Sequence, residues 1–92
     1  MADHGTKNFK AIATDIAEGY VSLNPLYLKP FNEVSLKSLY SIVMKVQAGI
    51  RDEPFPYREI ELIRKRNLKL QRLYTALIVI KNTARERKYK FL

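Results

Sequence analysis

The chain has 92 residues, 47% of them hydrophobic, with seventeen Lys and Arg against nine Asp and Glu, giving a net charge of +8. That length makes one domain near the lower limit for folding without staples. The absence of cysteine excludes a disulfide framework, a thiolate nucleophile and a cysteine-held metal, and points to a reducing compartment.

Gly and Pro divide the chain into three periodic segments. In the first, from about Asn8 to Tyr20, Phe9, Ile12, Ala13, Ile16, Ala17 and Tyr20 recur at helical spacing and predict an amphipathic helix. Thr6 or Asn8 is placed to cap its start, and Gly19 with Asn24-Pro25 to end it. Leu26, Tyr27, Leu28 and Phe31 then form a connection too apolar for a solvated loop, so it is expected against the core.

The second segment begins at Asn32, a good N-cap, with Glu33 in the first turn where the helix dipole favours negative charge. Its apolar positions from Leu36 to Ile50 predict a helix to about Ala48, with Gly49 as a left-handed C-cap. Asp52-Glu53-Pro54-Phe55-Pro56 reads as a rigid turn, with Pro56 suited to the first position of the next helix.

From Tyr57 onward there is neither Gly nor Pro, and the strong helix formers predict one long helix to about residue 88. The β-prone run Leu77 to Ile80 leaves a short buried strand as the minor reading. The expected fold is an all-α, small antiparallel bundle of two short helices (about 8–20 and 33–48) packed on this long C-terminal helix, in a single domain over 1–92. The third helix outreaches each of its partners. A homo-oligomer is therefore expected, most simply a dimer whose long helices pair antiparallel.

The whole charge excess lies in this last segment, where eleven Lys and Arg face three Glu between Tyr57 and Leu92. On a helical wheel, Ile60, Ile63, Leu70, Leu73, Tyr74, Leu77, Ile78 and Ile80 form the expected core face. Arg58, Lys65, Lys69, Arg72, Arg87 and Lys90 fall on a separate line, continued by the small residues Ala76 and Thr83. Such a line is the footprint of a helix lying along a phosphate backbone, and these six residues are the candidate nucleic-acid contacts. Lys81, Arg85 and Lys88 return to the arc used upstream for the core, so residues 81–92 are expected to project as a basic end in which Tyr89 and Phe91 could stack on bases or meet acidic lipid.

No catalytic or cofactor motif occurs. The single His, His4, has no partner ligands, and neither a phosphate-binding loop nor a dinucleotide fingerprint is present, so no catalytic residue, metal or cofactor is expected. The first twenty residues lack a continuous apolar stretch, and no run approaches the length that spans a bilayer, so neither a cleavable signal nor a transmembrane segment is expected and the protein is placed in the cytoplasm. The expected function is a non-enzymatic, phosphate-directed nucleic-acid-binding accessory protein. The alternative is a helical oligomeric scaffold or adaptor for an acidic protein partner, and peripheral binding to an anionic membrane is a third class.

Overall fold

The computed structural model describes residues 8–90 and forms a small all-α bundle: α1 (Phe9–Glu18), α2 (Glu33–Asp52) and α3 (Ile60–Glu86). All three helix pairs are in contact. At about 1.5 Å per residue α3 runs about 40 Å, nearly the whole of the 44 Å long axis, and the two shorter helices pack along it. Leu77 to Ile80 are helical.

Local chemistry explains most of the helix ends. The Asn8 side chain accepts the Ala11 N–H at 3.1 Å and starts α1. Asn32 and Ser35 form a reciprocal capping box, with each side chain accepting the other's backbone N–H at 2.8 and 2.9 Å, and this starts α2. Thr6 and His4 lie outside the described residues. Gly19 ends α1 in the left-handed region at φ 86°, its N–H bonding back to the Ile16 carbonyl.

Two boundaries differ from the sequence expectation. Gly49 is an ordinary helical residue, and α2 runs on to Asp52 because Ile50 still packs against the core. The helix stops at Glu53, which the following proline holds in extended geometry. Likewise Pro56 does not open α3. The Tyr57 ring packs against Phe55 at 4.9 Å between centroids, tilted by 59°, residues 57 and 58 form a turn, and the helix begins only at Ile60 after an extended Glu59.

These backbone assignments make the two glycines opposite in effect. A Cβ on Gly19 would require the left-handed conformation and would sit 2.9 Å from Arg72 Cζ, so Gly19→Ala is expected to lose about 1 to 2 kcal/mol. A Cβ on Gly49 meets nothing within 4 Å, so Gly49→Ala is expected to gain about 0.5 to 1 kcal/mol. Urea denaturation of both variants followed by circular dichroism checks the opposite signs.

The core is built on Leu28, Leu36, Leu39, Val43, Leu73 and Ile80, all fully buried. The connection before α2 contributes as expected: Leu23, Leu28 and Phe31 are buried, with the Phe31 ring beside Phe9 and Tyr27, while Leu26 points outward. The phase of α3 is the main correction. Leu73, Leu77 and Ile80 are buried, but the rest of the buried face is Ala76, Thr83 and Ala84, whose small side chains let α3 approach the bundle closely. Ile60, Tyr74 and Ile78, expected in the core, are exposed.

The end of α3 also departs from expectation. Thr83 and Ala84 are buried, so residues 81–86 stay in the bundle and do not project from it. Lys88 adopts φ 63°, its N–H bonds the Arg85 carbonyl, and the Tyr89 N–H bonds Ala84. This Schellman-type turn folds Tyr89 back against the core. The Lys90 N–H then reaches the Glu33 carboxylate at 3.4 Å. Phe91 and Leu92 lie outside the described residues.

Candidate nucleic-acid interface

The rotation of α3 splits the predicted basic line. Arg72, facing the end of α1, donates from Nη1 to the Ala17 carbonyl at 2.9 Å. α1 has no basic residue in its own last turn, so its carbonyls take a donor from another helix. Gly19 is what allows the guanidinium to come this close.

Arg87 does the same for the connection. Its Nη1 donates to the Phe31 carbonyl at 2.6 Å and its Nη2 to the Leu28 carbonyl at 3.0 Å, while the guanidinium lies 6.0 Å from the Tyr89 ring centroid. Both arginines are half-buried. Ala76 and Thr83, which continue the predicted line, are buried against the rest of the chain.

Of the remaining predicted residues, Lys69 is half-buried and pairs with Glu18 at 3.3 Å. Arg58, Lys65 and Lys90 are exposed, and their side chains have no ion-pair partner among the described residues. Four cations missing from the predicted line are also exposed: Arg64, Lys81, Arg85 and Lys88. Arg64 pairs with Glu61 at 3.3 Å in an exposed contact of the kind that contributes little and is easily exchanged.

The exposed charge thus forms two groups. Arg58 in the preceding turn, Arg64 and Lys65, with the partly covered Lys69, lie at or just before the start of α3, and Lys81, Arg85, Lys88 and Lys90 lie at or just beyond its end. Between Leu70 and Ile80 the one charged residue is Arg72, which is turned inward. From Arg64 to Arg85, which lie about 60° apart around the helix, the rise is about 30 Å. Lys65 lies about 160° round from Arg85, on the side of a cavity between α2 and α3. Asn67, Gln71, Tyr74, Thr75 and Ile78 are exposed along the intervening stretch.

Sequence reasoning missed the outward residues because it set the core face too far round the helix. The available signal was the spacing of Ala76, Thr83 and Ala84, which continues Leu73, Leu77 and Ile80 as one stripe of buried small and large residues.

Searches against family models, curated proteins and solved structures gave no match to this chain. Among the described residues no group of three or more acidic or imidazole side chains is arranged to hold a metal ion, and no helix is long and apolar enough to cross a membrane.

Proposed function

We propose that this chain is a non-enzymatic nucleic-acid-binding accessory protein that holds a phosphate backbone at the two ends of α3. The observation that carries this reading is the charge left over after folding. The excess of +8 survives any pairing within the chain, since each internal ion pair removes one charge of either sign, and it arises wholly from residues 57–92, on and around α3. Arg58, Lys65, Lys69 and Lys90 of the predicted set remain in this role, joined by Arg64, Lys81, Arg85 and Lys88. Arg72 and Arg87 serve the fold.

Fluorescence anisotropy with labelled single- and double-stranded DNA and RNA tests the proposal. Engagement of four to five phosphates gives a slope of log K on log salt near −4. Because Arg64 and Arg85, the members of the two groups that share a face of α3, are about 30 Å apart, duplexes shorter than roughly nine base pairs cannot touch both, and affinity should fall steeply below that length. Changing Arg64, Lys65 and Arg85 together to Glu should abolish binding while leaving helicity intact. Salt-insensitive or length-independent binding, or full affinity in the triple variant, would defeat the proposal.

A second reading, the oligomeric scaffold or adaptor, rests on Ile60, Tyr74 and Ile78, which are 67, 59 and 40% exposed on α3. An antiparallel pair of α3 helices from two copies, or an acidic helix of a partner protein, would cover them. Sedimentation equilibrium of the wild type and of Tyr74→Ala separates a self-associating chain from a monomer.

A further inference from the structure

Three arginines are half-buried, Arg66 and Arg72 on α3 and Arg87 at its C-cap, and the fold treats them differently. Arg72 and Arg87 each donate to backbone carbonyls. Arg66 has no hydrogen-bond acceptor among the described residues, although its Nε is withdrawn from solvent. Its guanidinium lies over the Phe55 ring, 5.1 Å from the centroid, in a cation–π contact.

Arg66 borders a cavity of about 210 Å³ between the end of α2, the Pro54–Pro56 turn and the start of α3. Lys65 and Lys69 line the same cavity, against apolar walls that include Leu62 and Pro56 and one carboxylate, Glu53. A planar guanidinium with unused N–H groups beside two ammonium groups is complementary to a tetrahedral oxyanion.

We infer that this cavity is a phosphate-group site, with Arg66 as the fork that binds the oxyanion, Phe55 as the residue that positions the fork, and Lys65 as the supporting charge. Lys69 is shared with Glu18, so it contributes less than Lys65, and Glu53 opposes the anion and favours release. The terminal nitrogens of Arg66 meet the phosphate oxygens, with the Phe55 contact kept. The site does not depend on the nucleic-acid reading. Its phosphate can be the end of a polynucleotide strand or a free phosphate, and the two sources are separable by experiment.

The test is a titration of the full chain with inorganic phosphate, against chloride at equal ionic strength, followed through the arginine Nε–H and backbone signals in heteronuclear NMR. A saturable shift confined to Arg66, Lys65 and the Phe55 turn is expected, with at least a tenfold weaker dissociation constant in Arg66→Lys, which keeps the charge and loses the fork. Phe55→Leu should weaken binding severalfold without changing net charge. A non-saturating shift spread over all basic residues, meaning an adventitious ion only, would overturn the site, and so would equal affinity in Arg66→Lys. The wild-type titration decides the matter even where a variant fails to fold. Comparison of 5′-phosphorylated with 5′-hydroxyl oligonucleotides then assigns the source: preference for the phosphorylated end identifies a strand terminus, and equal binding identifies free phosphate. Saturable phosphate binding without nucleic-acid binding would leave the site standing and remove the broader proposal.

Discussion

Leu73→Ala is expected to destabilise the protein by about 3 kcal/mol, whereas Tyr74→Ala, one residue along the same helix, should cost less than about 1 kcal/mol. Leu73 is fully buried, so truncation removes transfer free energy and leaves a cavity. Tyr74 is mostly exposed and has little packing to lose. For a domain of this size 3 kcal/mol corresponds to a fall in Tm of about 12 to 24 °C, readily seen by circular dichroism. The pair of variants also fixes the phase of α3. Equal losses at both positions would return Tyr74 to an apolar interface, either within the bundle or between copies.

Arg87→Met should cost about 2 to 3 kcal/mol, and Arg85→Met, whose side chain faces solvent, within about 0.5 kcal/mol of nothing. Methionine keeps the stem of the side chain but leaves the carbonyls of Leu28 and Phe31 without their charged donor. Urea denaturation of both variants provides the comparison, and similar midpoints would mean that the two hydrogen bonds contribute nothing. The same reasoning governs the choice of binding mutants. A charge reversal that includes Arg72 or Arg87 damages the fold and would mimic a lost interface, which is why the test of the nucleic-acid surface uses Arg64, Lys65 and Arg85.

Helix number and order were legible in the sequence because they depend on short-range chemistry. Asn8 and Asn32 cap their helices, Gly19 terminates one, and the apolar connection before Asn32 lies on the core. Gly49 and Pro56 were misread because each resembles a boundary signal whose outcome was decided by neighbours: Ile50 still packing on the core in one case, the tilted Phe55–Tyr57 ring contact in the other. The candidate site was only half legible. A wheel identifies which residues share a line, but not which line faces inward when Ala76 and Thr83 can pack as closely as a leucine can fill. Nor does it reveal that the carbonyls of Ala17, Leu28 and Phe31 need distant donors. Those needs exist only after the chain has closed on itself, and they removed Arg72 and Arg87 from the surface.

The arginine contacts also bear on the order in which the molecule assembles. They join residues 55, 56 and 59 apart in the chain, whereas α2 and α3 are separated only by the short stretch between Asp52 and Ile60. Closing the short loop loses less chain entropy, which favours an α2–α3 hairpin as the nucleus on which α1 and the connection dock. The guanidinium clasps then form after the rate-limiting barrier, and their main kinetic effect is to slow the opening of the native state. Stopped-flow measurements on Arg87→Met should accordingly find faster unfolding with refolding little changed. A variant that refolded more slowly in proportion to its lost stability would place the clasps in the nucleus instead.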